Sequence, residues 1–231
     1  MKTTVVVAIL SMTFEAGIVA NVVAAVDAPI YQYTVQGTFD TSSFSSAVAV
    51  GDQGLLTFKL DYSKADTWPA ADFGVFPEAV TDAQFSLQPG ASGNYPGGSM
   101  TAAWQAEVAD NADAFRFILY PGVTPGLNFP NPGGSVFSLF DLILQGDSTL
   151  FSFSHDTGDT LGNVIGNQAL DLANFPNQMR FTLWADGNSK YASAVITSIT
   201  AMVVPEPATW LTLAFGIPAM CARRRASVSC T

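Results

Sequence analysis

The chain has 231 residues, with 9 Lys or Arg against 19 Asp or Glu, so only 12% of it is charged while 48% is apolar. So much apolar side chain at so little charge excludes an intrinsically disordered segment, which has too few apolar groups to offset the entropy of ordering. Residues 29–204 are interrupted everywhere by Gly, Pro, Asp, Ser or Asn and never sustain the run of about 18 apolar residues that a spanning helix needs, which excludes a helical membrane bundle.

Residues 1–25 read as a secretory signal. Lys2 supplies the positive charge, residues 5–14 the apolar run, and Val23, Ala24 and Ala25 the small residues before a cut expected after Ala25.

Residues 26–204 form the predicted exported domain. A period of two recurs at Tyr31, Tyr33 and Val35, at Leu56, Phe58, Leu60 and Tyr62, at Phe115, Phe117 and Leu119, and at Met179, Phe181 and Leu183. Side chains alternate faces along a strand, so these are strands with one buried face. Turn chemistry separates them: Gly51 to Gly54, then Gly146 and Asp147 between a strand ending at Gln145 and one running to Ser154, then Asp186 and Gly187 after Trp184. Segments 90–98 and 121–134 are Gly/Pro-rich loops, and only 101–109 and 168–174 could pass as short helical turns. Nine or ten short strands without βα alternation predict an all-β fold, an antiparallel β-sandwich of jelly-roll type.

Between residues 27 and 204 five cations (Lys59, Lys64, Arg116, Arg180 and Lys190) face 17 acidic side chains, a net charge of −12. Five scattered cations cannot replace the counterions along a nucleic-acid backbone, so nucleic acid is not an expected partner. Both cysteines, Cys221 and Cys230, lie beyond residue 204, which rules out a disulfide or cysteine-held zinc within the domain.

Residues 205–231 have their own order: Pro205, Glu206 and Pro207, then an apolar segment with Trp210, Leu211, Leu213, Phe215 and Gly216, then Arg223, Arg224 and Arg225. The prolines lack the donor that a continuing strand would use. The apolar segment can enter a bilayer as a short helix, and the arginines hold its far end on the cytoplasmic side. This tail resembles the PEP-CTERM sorting signal of envelope proteins from bacteria that make extracellular polysaccharide. Pro218, inside the apolar segment, and the residues from Ala226 to Thr231 depart from that pattern. The resemblance implies that an exosortase-type membrane protease recognises the tail, removes it and passes the protein to the cell surface or matrix. The domain itself resembles an uncharacterised group found upstream of the same signal, through Gly37-Thr38-Phe39, Val50-Gly51-Asp52 and Leu60-Asp61; this implies a fold and no mechanism.

Catalytic signals are sparse. His155 is the only histidine, there is no Gly-x-Ser-x-Gly elbow, and Asp156-Thr157-Gly158 occurs once where an aspartic protease needs two carboxylates, so only a symmetric dimer could complete that pair. Glu78 and Glu107 are the only glutamates of the domain available to a glycosidase. Asp156 with Asp159, or Asp110 with Asp113, could approach calcium but form no recognised loop. No catalytic residue, metal or cofactor is therefore expected. Flat aromatic faces give a more general route to sugar rings, with Trp68, Trp104 and Trp184 as candidates. The expectation is a non-enzymatic exported protein with a structural or adhesive role in exopolysaccharide or biofilm. A cell-surface carbohydrate-binding module is the alternative, and an envelope hydrolase a remote one.

Overall fold

A computed structural model describes residues 8–14, 17–23, 28–44, 46–109, 114–146, 157–166 and 168–205. Strands β1 (Ala8–Phe14) and β2 (Gly17–Val23) pair as an antiparallel hairpin in a sheet of their own. Ten further strands form one antiparallel sheet: β3 (Ile30–Ser42), β4 (Gln53–Asp61), β5 (Phe73–Leu87), β6 (Gly98–Met100), β7 (Trp104–Ala109), β8 (Ala114–Leu119), β9 (Leu127–Asn128), β10 (Phe137–Gln145), β11 (Gln178–Ala185) and β12 (Lys190–Val204).

The expected all-β, antiparallel fold is present, but it is not two packed sheets. The ladder runs β4-β3-β12-β11-β10-β8-β7-β5, and β5 pairs back onto β4, closing an eight-stranded barrel. Sandwich and barrel demand the same inward/outward alternation, so the pattern of apolar residues does not separate them. Closure depends on β5, whose first half pairs with β7 and whose second half pairs with β4. Register shifts interrupt both ladders, and Glu78 (φ 59°) and Asp82 (φ 53°) sit at positive φ beside them. Bulges of this kind bend a strand, and Pro77 has no donor for a regular ladder, so β5 turns the corner.

Alternation predicts the inward set well. Tyr33, Val35, Leu56, Phe58, Leu60, Tyr62, Phe115, Phe117, Leu119, Phe181 and Leu183 are buried, while Tyr31 and Met179, from the same alternating sets, are only partly buried against the core. An eight-stranded barrel is just wide enough for side chains to fill, and here the filling is aromatic. Phe181 lies 5.7 Å from the rings of both Phe39 and Phe85 and 6.1 Å from that of Phe140. Its ring also occupies the space beside two glycines of neighbouring strands: a Cβ on Gly37 would fall 2.8 Å from it, and one on Gly54 would fall 2.7 Å away.

Some local expectations differ. Segment 104–109 is strand β7, because Ala106 and Val108 point into the barrel between β5 and β8. Helix α1 (Leu161–Ile165), too short to show a period in the sequence, inserts Leu161 and Val164 into the core and is capped by Thr160 Oγ1 accepting from the Asn163 N–H. The expected turn within 168–174 is a single 3-10 turn, Leu172–Asn174. Strand β10 ends at Gln145 as expected, and the strand expected to run to Ser154 lies outside the described residues.

If Phe181 and the bare glycines are one packing unit, Gly54→Ala lowers stability by about 1–3 kcal/mol and Phe181→Ala by about 3–5 kcal/mol. The double variant loses clearly less than the sum, since the added methyl no longer meets a ring. Urea unfolding of the three variants checks this, and simple additivity would refute it.

Candidate functional site

Antiparallel closure gives the barrel two ends with different chemistry. Ile30 pairs with Val204 at one end, so the chain enters and leaves the barrel there; the loops 62–72 and 157–177 cover the same end. The loops 43–52, 88–103, 120–136 and 186–189 cover the other.

At the chain-entry end, a directional hydrogen-bond series seals the interior. The Leu170 N–H donates to Tyr33 Oη (2.9 Å), Tyr33 donates to Tyr62 Oη (2.7 Å), and Tyr62 donates to the Gln168 carbonyl (3.1 Å). Burial pushes the Tyr33 pKa up to about 12, the hydrogen bonds opposing the shift only in part. Asp66 Oδ1 accepts from the N–H groups of Trp68 (2.8 Å) and Val75 (2.9 Å) and shapes the loop that carries Trp68. Thr157 Oγ1 donates to the Trp68 carbonyl, and Ala65 bridges to Thr160, so part of the Asp156-Thr157-Gly158 string is docked against this loop. Asp72, Asp159 and Asp171 belong to the same end.

Two of the loops at the opposite end are uncharged, and Asp186 of a third is paired with Lys190. Residues 88–103 and 120–136 contain no Asp, Glu, Lys or Arg. Asp52, the carboxylate beneath them, is buried and accepts from the N–H groups of Ala49 (2.8 Å), Ser92 (2.6 Å) and Gly93 (2.9 Å). Burial by itself would raise its pKa, but the three backbone donors prevail and hold it below the ordinary carboxyl value. Asp52 thus ties loop 43–52 to loop 88–97, and a Cβ on Gly93 would fall 2.2 Å from the Ala47 carbonyl oxygen, so only glycine fits that seam. Tyr95 Oη donates to the Pro130 carbonyl (3.0 Å), joining loop 88–97 to the segment after β9.

The five cations are all paired: Lys59 with Asp82, Lys64 with Glu78 and Asp61, Arg116 with Glu107, Arg180 with Asp40, and Lys190 with Asp186. Such exposed pairs contribute little to stability. Their consequence is electrostatic, since no unpaired Lys or Arg is left on the described barrel to attract an anion. Glu78 and Glu107 are both held in these pairs.

The three tryptophans do not form one platform. Trp68 is 49% exposed, with its ring edge-on to Phe73 at 6.2 Å. Trp104 is half-buried against the core and donates Nε1–H to the Ile118 carbonyl (2.8 Å). Trp184 leans on Tyr191 and donates Nε1–H to Asp141 Oδ2 (3.1 Å) on the outer wall. Asp141 is buried there and its Oδ1 has no hydrogen-bond partner; burial raises its pKa, against the opposing bond from Trp184. Among the described residues no group of three or more His, Cys, Asp or Glu could hold a metal, and no helix is long and apolar enough to cross a membrane. His155, Asp156, Asp110, Asp113, Glu206, Pro207, the apolar segment from Trp210 to Gly216 and Arg223 to Arg225 lie outside the described residues; Pro205, exposed, follows β12 directly.

The seam held by Asp52 and Tyr95 has a weak signature in sequence, two charge-free Gly/Pro-rich loops, and nothing in that signature says that the two meet. No protein-family model, curated protein or solved structure matches the chain.

The two buried carboxyls carry opposite pH signatures. The contribution of Asp52 is present above the unfolded carboxyl pKa and is lost as pH falls through its depressed folded value. The contribution of Asp141 is present below the unfolded pKa and is lost as pH rises through its raised folded value. Asp52→Asn should therefore cost about 1–3 kcal/mol at pH 7, through buried N–H groups losing their acceptor, and the gap to the native chain should narrow on acidification. Asp141→Asn should fare best relative to the native chain at neutral pH and lose that relative advantage toward acid. Thermal melts of both variants between pH 3 and 7 read the two slopes, and slopes of the same sign would contradict this assignment.

Proposed function

We propose that this chain is a non-enzymatic exported protein of the cell surface or extracellular matrix, with a structural or adhesive role linked to exopolysaccharide. In this role, residues 1–25 direct export. Residues 205–231 act as a PEP-CTERM-type sorting signal whose apolar segment, anchored by Arg223, Arg224 and Arg225, engages the membrane until an exosortase-type protease acts at the tail.

One observation carries the proposal. Val204 pairs with Ile30 at the acidic end of the barrel, so a tail starting at Pro205 leaves from that end. A barrel held by this tail presents its uncharged loops away from the membrane, while the acidic loops stand nearest to it. The paired cations agree with a protein that meets neutral or cationic material outside the cell and does not collect anionic polymers. The interior filled with aromatic rings suits display, since it offers loops a fixed support.

Deleting residues 205–231 should convert a cell-retained protein into one released to the medium or left in the periplasm, as read by fractionation and immunoblot. In the native chain, mass spectrometry of the mature product should find the N-terminus after Ala25 and no peptide from beyond the sorting motif. Unchanged retention of the deleted form would refute the sorting role.

A further inference from the structure

On the outer wall near the uncharged loops 88–103 and 120–136, β6 continues above β7 along the same edge of β5, and β9 pairs with β6. An open groove of about 760 Å³ follows this junction, in the size range of small-ligand sites. Its polar side chains are Thr57, Gln84, Ser86, Ser99 and Asn128, supplied by β4, β5, β6 and β9, and no charged residue lines it. None of the five makes a side-chain hydrogen bond to another described residue, although nearby polar side chains such as Tyr95 and Asp52 are fully engaged. Leu55, Pro96 and Pro130 provide the apolar surface between them.

The groove is preformed. A Cβ on Gly97 would fall 2.3 Å from the Phe85 carbonyl oxygen, and one on Gly98 would fall 2.4 Å from the Phe129 ring, so the floor is bare backbone pressed onto the core. The Tyr95 hydroxyl bonded to the Pro130 carbonyl fixes the two proline-bearing segments relative to each other. A fixed site binds without the entropy cost of ordering its own walls.

The geometry points to a binding site for an uncharged glycan in this groove. Hydroxyls and side-chain amides both donate and accept, as sugar hydroxyls do, while the proline and leucine surfaces suit the C–H faces of sugar rings. With no charge in the groove and no spare cation nearby, an acidic polysaccharide or a phosphate finds no counter-charge. An extended peptide is disfavoured for a different reason. Peptide addition needs a free strand edge, and β9, at the margin of the sheet, is only two residues long. The site is distinct from Trp68, which sits at the other end of the barrel. The glycan assignment deepens the display role and rests on it for where the ligand is met.

The test uses the purified intact chain in affinity gel electrophoresis through dextran, soluble starch, laminarin and hydroxyethyl cellulose, with alginate as the anionic comparison. Retardation by at least one neutral polymer and none by alginate is expected. Gln84→Ala/Asn128→Ala, two exposed positions, should weaken that retardation about tenfold, the loss of one to two hydrogen bonds, with an unchanged thermal midpoint. Trp68→Ala should leave it unchanged. Absence of retardation by all four neutral polymers would overturn the site, as would retardation that survives Gln84→Ala/Asn128→Ala or disappears with Trp68→Ala. Binding of purified protein is read independently of sorting, so failure here leaves the tail-deletion result standing, and the converse also holds.

Discussion

Eight strands closed into a ring leave an interior that must be filled to near-crystalline density, and the placement of Phe181 is the constraint on which this barrel depends. Its ring reaches across to β3 and β4 because Gly37 and Gly54 present no side chain there, and it meets Phe39, Phe85 and Phe140. Four aromatic rings from four strands thereby share one space. Strand β5 brings Phe85 to that cluster by bending at Glu78 and Asp82, the same bend that lets it pair with β7 along one half and β4 along the other. Filling and closure are therefore coupled: the bend that completes the ring also delivers a ring to its centre.

The polar parts of the molecule are arranged around that filled interior. At the end where the chain enters and leaves, Tyr33 and Tyr62 pass one hydrogen-bond series from the Leu170 amide to the Gln168 carbonyl, so that two buried hydroxyls are satisfied without admitting charge. At the other end, Asp52 does the reverse, using a buried carboxylate to collect three amides from two loops. Each solution obeys the requirement that buried polar groups be paired, and each fixes loops that the strand ladder alone does not hold. The result is a support with an acidic end, where β12 reaches Pro205, and an opposite end whose loops 88–103 and 120–136 are uncharged and border the groove.

The proposed function rests mainly on the termini, because the export and sorting signals they resemble are linear patterns of charge, apolar length and proline. The candidates inside the domain were less legible. Trp68, Trp104 and Trp184 stand out by residue type, yet two of the three spend their indole N–H on the Ile118 carbonyl and on Asp141. The groove residues Thr57, Gln84, Ser86, Ser99 and Asn128 are ordinary outward positions in sequence, and they acquire meaning only because β5 pairs with both β4 and β6. Likewise, Arg180 and Asp40 are 140 positions apart and meet only across the closed sheet.

Alternation along single strands, a local property of backbone geometry, let the sequence by itself determine that the fold is all-β and most of the buried side chains of β3, β4, β8 and β11, while the absence of cysteine between residues 27 and 204 excludes a disulfide within that span. Closure into a barrel in place of a sandwich, the strand at 104–109, the pairing of the five described cations and the assembly of the uncharged groove were decided by tertiary structure alone. These depend on which strands become neighbours, and the two-residue period of side chains is the same whichever neighbours a strand finds.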